Sequence, residues 1–495
     1  MFALLFIIFT IGLTPLALSL PIPVSQRDST PKYVVTHFMV GNAFPYTLDD
    51  WLNDIKLASA NHIDAFVLNI GSDSWQPARV NDAYTAAQQS GTGFKMLISF
   101  DMTAMPCASS ADADALRQYV TKYSNHPAQL MYNGKALFST FSGNTCLFGT
   151  GSTSDGWSTV FNGANVAFVP SFFTDPSQFG SIGGILDGMV NWNSGWPIDL
   201  KASDLPSNLA HATDVPSTDL PQPIDSMTSD DQYLVGLGLP PTTQDPAQNG
   251  KIYMPAVSPW FYTHYGANSY NKNWIYLSDD HLYAKRWENL VTKRDHIPIV
   301  QIISWNGSSL SLSYPGSYLQ LHLDFGESHY IGPIEGAQPN SEAWVDGFDH
   351  QAWLTLTRYY AQAFKTGAYP TPLDDKVVIW ARPHSKLATS SDPVGKPRDW
   401  ELVSDSLWAW VLLKDPATVV LSTSPCNSRT FNMAAGLNKV SIPLAPGGPL
   451  SAEVTRNGQQ VLSVQSQNYT YQETNVPTYN FNAFVVESNP GVPAF

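Results

Sequence analysis

Asp324 and Glu327 stand three residues apart in the segment DFGESHYIGP. Hydrolysis of a sugar acetal needs two carboxyl groups: one protonates the leaving oxygen, and the other activates water or attacks the anomeric carbon. On a helical turn the two would share a face, whereas an extended chain would point them oppositely, and Gly326 between them permits a sharp turn. Trp305, Phe325, His329 and Tyr330 flank the pair and offer stacking surface and hydrogen bonds. The D-x-x-E spacing by itself is common and usually marks a solvated surface pair. The elements that would carry it therefore decide its meaning.

Eight apolar, β-branched runs occur between residues 33 and 306: VVTHFMVG, DAFVLNIG, KMLISFD, KALFSTFSG, NVAFVPSFF, GMVNWNSGW, IYMPAVSPW and IPIVQIISWN. Helix-period stretches lie between several of them, the first opening on Thr47 as an N-cap before Asp49 and Asp50. The alternation predicts an α/β fold, a (β/α)8 barrel over residues 31–370 with its last helix in GFDHQAWLTLTRYYAQAF. An open doubly wound sheet is disfavoured because no Gly-rich phosphate loop follows the first run. In a barrel, chemistry belongs at the C-terminal strand ends. His37, Asn69, Asp101, Asn191, Trp192, Trp260, His264, Trp305 and Asn306 all fall there. Any one of them alone is more often a satisfied structural group; their recurrence over most of the strands is the signal. Asp101, Asn191, Trp192, Trp260, His264, Trp305, His329 and Tyr330 are the expected substrate contacts, with Asp101 in reserve for an electrostatic or base role. The stretch from Ile198 to Asp230 reads as a lid or an excursion.

After Pro370, Pro372 and the acidic pair Asp374 and Asp375 the texture changes to alternating strands, which predicts a β-sandwich over residues 376–495. Asn457-Gly458 is a hairpin turn signal within it. The expected role is packing against the barrel rather than independent sugar binding.

The chain has 495 residues, with 26 Lys and Arg against 41 Asp and Glu, a formal charge of −15. That balance argues against nucleic acid or an anionic membrane as partner. Charged residues are 14% and aromatic residues 12%, which suits sugars, whose C–H faces stack on rings while their hydroxyls need neutral partners. Residues 1–19 read as a secretory signal peptide, and no later segment is apolar enough to span a bilayer. The mature protein is therefore expected in the extracellular space or cell wall, as a monomer. Three cysteines lack the spacing of a zinc site, so neither a metal nor a cofactor is expected. Cys107 and Cys146 follow neighbouring strands and are expected to bridge, leaving Cys426 free.

The motifs YVVTHFMVGN, DAFVLNIG, FKMLISFDM, NWNSGWP, MPAVSPWFYTHYG, SWN and DFGESHYIGP together resemble glycoside hydrolase family 71, the fungal α-1,3-glucanases or mutanases, over nearly the whole mature chain. The resemblance implies a secreted, endo-acting, inverting hydrolase of α-1,3-glucan with a barrel and an associated sandwich. It also implies that Asp324 and Glu327 are the catalytic carboxylates. Glu327 is expected as the acid and Asp324 as the base, with the roles exchangeable, and about 6.5–9.5 Å apart to admit a water. A glucan-binding wall protein of impaired activity and a barrel glycosidase of another linkage stay open as alternatives.

The sequence departs from the family pattern at one place. Relatives join the Asn of SWN directly to the Asp of DFGES, whereas here residues 307–323 intervene, without any Lys, Arg, Asp or Glu. The codons available for Gly307-Ser308 and Leu323-Asp324 allow splice signals whose removal restores Asn-Asp. The segment is expected to be a retained intron or an inserted loop, and to bulge at the barrel mouth if it is translated.

Overall fold

The alternation of apolar runs and amphipathic stretches is realised in the computed structural model, which describes residues 31–209, 211–239, 250–307, 326–335, 340–489 and 495. The expectations for residues 1–19, for Asp324 and for residues 308–323 lie outside the described residues. In chain order the first strands are β1 (Tyr33–Met39), β2 (Ala65–Ile70), β3 (Lys95–Asp101), β4 (Met131–Tyr132), β5 (Lys135–Phe141) and β6 (Val166–Phe168). They are followed by β7 (Gly188–Asn191), β8 (Ile252–Val257), the pair β9 (Phe261–His264) and β10 (Asn273–Tyr276), and β11 (Ile299–Ile302). Eight of them run parallel in one curled sheet, in the order β6, β5, β3, β2, β1, β11, β8, β7, while the short β4 turns back antiparallel on β5. Asp187 N donates to Phe168 O and Val190 N to Pro170 O, both at 2.9 Å, so the chain at β7 also bonds the chain at and beyond β6.

Side-chain alternation explains why polar groups gather at one end of this sheet. Val35, Val67, Leu97, Leu137, Val190, Met254 and Ile299 form a buried cluster on its concave face. Two or four residues further along the same strands, on the same face, stand His37, Asn69 and Asp101. The register steps them along the sheet: His37 lies opposite Val67, two residues before Asn69, and Asn69 lies opposite Ser99, two residues before Asp101. The other face packs on helices α1 (Leu48–Ala60), α2 (Gln76–Gln89), α3 (Ser110–Tyr123), α4 (Thr153–Phe161), α5 (Thr228–Gly236) and α6 (Leu282–Thr292) and on α8 (Trp353–Thr366), while the short α7 (Glu342–Val345) between the last two packs with the β9–β10 pair. Helix α1 starts at a full capping box: the Thr47 side chain accepts from Asp50 N while the Asp50 carboxylate accepts from Thr47 N. Cys107 and Cys146 are joined, tying the loops after β3 and β5. Cys426 is free and exposed.

From residue 376 the chain forms β12 (Lys376–Ala381), β13 (Ser406–Leu413), β14 (Ala417–Ser424), β15 (Asn427–Met433), β16 (Gly436–Pro443), β17 (Ser451–Arg456), β18 (Gln459–Gln465) and β19 (Phe484–Glu487). They make two four-stranded antiparallel sheets, ordered β16, β13, β12, β19 and β15, β14, β17, β18. Val377, Ile379, Leu407, Ala409 and Val411 of the first sheet share a core with Val419, Leu421, Ala452 and Val454 of the second. The opposite face of the first sheet, with Trp380, Trp408 and Trp410, joins the core built on α8. Its central strands β12 and β13 are buried on both faces, which is why they read as nearly continuous apolar runs. Asn457 and Gly458 both take positive φ (52° and 77°), the geometry of a tight two-residue hairpin turn between β17 and β18.

The stretch from Ile198 to Asp230 is neither a free lid nor an excursion in its described residues. Leu200, Leu205, Val215 and Ile224 are buried. Val215 N donates to Ser404 Oγ (2.8 Å) and Asp405 N to Thr213 O (2.7 Å), which fasten the stretch to the chain entering β13.

Candidate active site

Glu327 is placed by a small sheet at the C-terminal end of the parallel strands. Its backbone bridges Thr263 of β9 antiparallel, and Ser328 N donates to Tyr262 O at 2.9 Å. Gly326 before it is obligatory: a Cβ there would lie 1.7 Å from the Tyr265 hydroxyl oxygen. The Glu327 carboxylate is buried and held from both sides. Lys272 Nζ donates to Oε1 at 2.9 Å, and His329 Nε2 lies 3.2 Å from Oε2. Burial alone would raise the Glu327 pKa, but the Lys272 charge, the His329 hydrogen bond and the His329 charge outweigh it and hold the carboxyl at about 2. Ser304 Oγ, 2.9 Å from His329 Nδ1, fixes the ring from behind.

Around this pair stand the inward residues of the neighbouring strands. Burial, together with His329, lowers His37 to about 3 against the opposing pull of Glu327, so its imidazole is neutral. Its Nε2 has no hydrogen-bond partner among the described residues, and its ring meets Trp192 edge-on at 4.7 Å. Asp101 accepts from Asn69 Nδ2 (3.1 Å) and from Thr103 N and Oγ1 (3.0 and 2.5 Å). Burial raises its pKa against those bonds and against Lys272. Two carboxyl groups thus share the Lys272 field while their environments push them in opposite directions. Trp192 continues to Phe141 at 4.9 Å, and Phe141 to the exposed Phe173 at 5.2 Å, an aromatic line at the strand ends.

Five expected contacts have other duties. Trp260 is 1% exposed, donates from Nε1 to Phe481 O at 2.9 Å and lies under the Arg382 guanidinium at 4.1 Å, so it offers no free face to a sugar. Trp305 is fully buried beside Phe66, and Gly332 packs so closely that a Cβ would lie 2.5 Å from its ring. Tyr330 is fully buried, stacks on His350 at 4.2 Å and donates to Phe348 O. Asn191 donates to Ser229 Oγ and Tyr253 OH, within the buried network that continues to Asp230 and Arg286. His264 is 2% exposed and is taken up by Asp392 and Asn273. In each of the five, the side chain is engaged by a partner distant in sequence. Asp101, Trp192, His329 and Glu327 do come together, whereas the sequence reading missed Lys272 altogether. Among the described residues no group of three or more His, Cys, Asp or Glu is placed to hold a metal ion.

This arrangement, an ionised carboxylate fixed beside a lysine and a histidine at the strand ends with a second carboxyl nearby, is suited to acid/base hydrolysis. Comparison with known proteins agrees. The glucan endo-1,3-alpha-glucosidase agn1 of Schizosaccharomyces pombe is 35% identical over 463 residues, 92% of this chain and 94% of that protein. A mutanase of Penicillium rubens is 30% identical over 94% of this chain and 91% of its own length. The ascus wall endo-1,3-alpha-glucanase of Schizosaccharomyces pombe is 29% identical over 91% and 96%. A solved endo-alpha-mannosidase of Bacteroides thetaiotaomicron overlays with a TM-score of 0.44 at 11% identity, over 67% of this chain and 97% of that one, a likeness too low to carry weight. The glycosyl hydrolase family 71 pattern matches residues 30–493, and this chain belongs to that family.

Proposed function

We propose that this protein is a secreted, endo-acting hydrolase of α-1,3-glucan that inverts the anomeric centre, built on a (β/α)8 barrel with an attached β-sandwich. The family and the activities named for its relatives support the substrate. The eight parallel strands support the barrel. The observation that carries the mechanism is the Glu327 carboxylate, buried yet kept ionised by Lys272 and His329.

A carboxyl group held ionised has no proton to give to a glycosidic oxygen and is in the form that can take one from water. The roles expected from sequence are therefore exchanged: Glu327 is the base and Asp324 the acid. In the reaction, water attacks the anomeric carbon while Glu327 takes its proton. The bond to the leaving oxygen breaks as Asp324 protonates that oxygen. Asp101, held by Asn69 and Thr103, supplies negative potential beside the developing cation.

The test is release of reducing ends from insoluble α-1,3-glucan, with β-1,3- and α-1,4-glucan in parallel. Glu327→Gln and Asp324→Asn should each lower the rate by about 10²–10⁴-fold. An α-1,3-glucan oligosaccharide with fluoride as leaving group separates the roles, because fluoride departs without protonation. Asp324→Asn should hydrolyse it and Glu327→Gln should not. The reverse result would restore the original assignment, and no release from α-1,3-glucan by the parent protein would sink the proposal.

A further inference from the structure

The charge that keeps Glu327 ionised is itself held in place from the C-terminal region. Lys272 sits on the β9–β10 turn, next to Asn273, and Asn273 pairs with His264 in the hairpin register. His264 Nδ1 lies 2.9 Å from Asn273 Oδ1, and His264 Nε2 lies 2.8 Å from Asp392 Oδ2. The Asn273 amide is oriented by its own NH2 group, which faces the carbonyls of Val394, Gly395 and Lys396 at 3.2–3.3 Å. Both nitrogens of His264 therefore face oxygen atoms, which ties the ring to Asn273 on one side and to Asp392 on the other. The same loop closes the hairpin from outside: Arg398 N donates to Asn273 O and Ile275 N to Arg398 O, both at 3.0 Å. The far edge of the hairpin carries Glu327, through its bridge to Thr263. One small sheet thus runs from the loop after β12, through β10 and β9, to the catalytic carboxylate.

We propose that Asp392 is a positioning residue for catalysis, which through His264 and Asn273 fixes the hairpin that presents Lys272 to Glu327. The inference rests on Glu327 being catalytic. It gives the C-terminal region a part in the chemistry beyond packing. Asp392 does not touch the reacting groups. It acts by holding the charge and the strand that do, and a displacement of about 1 Å at such a site can cost about 100-fold in rate. The groups that face or influence Glu327 are Lys272, His329, His37 and Tyr276, with Asp101 sharing the field of Lys272.

The experiment measures kcat, KM and the pH dependence of kcat/KM on α-1,3-glucan for Asp392→Ala, with Glu327→Gln and Lys272→Met alongside. Asp392→Ala should lower kcat by about 10- to 100-fold with little change in KM, and should move the acid limb of kcat/KM upward in the same direction as Lys272→Met. A folded Asp392→Ala protein with the parent kcat and acid limb would overturn the proposal, as would a loss of rate with the limb unmoved, which is what loosened packing alone produces. Should Asp392→Ala not fold, the isosteric Asp392→Asn carries the same two outcomes. Activity surviving in Glu327→Gln would instead remove the reading of the site on which the proposal stands.

Discussion

Lys272 and Glu327 form a pair whose partners are 7% and 8% exposed, and removing one member of a buried pair costs about 3–5 kcal/mol unless the survivor neutralises. Glutamate can neutralise by taking a proton. In Lys272→Met, burial still raises Glu327 and only His329 opposes it, so its pKa should rise from about 2. The sign follows from the charged form being the working one. In the parent protein Glu327 stays ionised down to about pH 2, whereas in the variant activity should already fall away at a higher pH as the solution is acidified. An unchanged acid limb in Lys272→Met would show that Glu327 is not the titrating base. The sequence made Glu327 readable because a carboxyl pair in a long ordered motif has few other uses. Lys272 could not be found the same way, since a single lysine in NKNW carries no spacing signal and its importance comes from a hairpin fold. The burial of Trp260, Trp305 and Tyr330 was not legible for a related reason. An aromatic residue at a strand end suits a cleft and a core equally, and what decided here were partners such as Arg382, Gly332 and Phe348.

At the scale of elements, the backbones on either side of the interrupted motif are already neighbours. Ser304 N donates to His329 O (2.9 Å), Ile331 N to Ser304 O (3.1 Å) and Gly332 N to Trp305 O (2.8 Å). If residues 307–323 are removed, residues 305–306 and 324–328 remain to connect Ser304 with His329. Seven residues are ample for chain ends that hydrogen-bond to each other, and the shorter loop closes at lower entropic cost. Asn306 would keep its anchorage, since its side chain exchanges bonds with Met39 N and O at 2.8 and 3.0 Å. Deleting 307–323 should therefore leave thermal stability unchanged or higher and raise the rate on α-1,3-glucan. A deletion variant that folds but turns over more slowly would assign the segment a working role. The eight parallel strands were legible because most of them lie in apolar, β-branched runs that alternate with helix-period stretches. Strands β9 and β10, of four residues each, and β15, whose sequence NSRTFNM is mostly exposed, have too little apolar patterning to announce themselves. The hold on the stretch from Ile198 to Asp230 was invisible because Ser404 and Asp405, which secure it, lie almost two hundred residues further on.

For the whole molecule, the question is whether the residues before and after 371 can stand apart. Composition marks the change of texture but says nothing of how much surface the two regions share. The structure answers through α8. Trp353, Tyr359, Tyr360 and Phe364 are buried on this helix, and Trp380 and Trp410 pack against Trp353 and Tyr359 at 4.8 and 5.4 Å. His350 Nε2 faces Ala483 O at 2.8 Å, and Trp260 Nε1 donates to Phe481 O. A chain ending at residue 371 would expose this aromatic face and strand those polar atoms. Each large apolar side chain returned to water costs about 1.5–3 kcal/mol, so four of them rival the roughly 5–15 kcal/mol that keeps a typical domain folded. The region of the parallel sheet alone, residues 31–371, should therefore fail to give a soluble, cooperatively melting protein. Expressed together with a separate chain of residues 372–495, it should recover both a single thermal transition and hydrolysis of α-1,3-glucan. A soluble 31–371 fragment that melts cooperatively and hydrolyses the glucan at the parent rate would show that neither the shared aromatic face nor the loop carrying Asp392 is needed, and would refute the unity of the two regions at this scale.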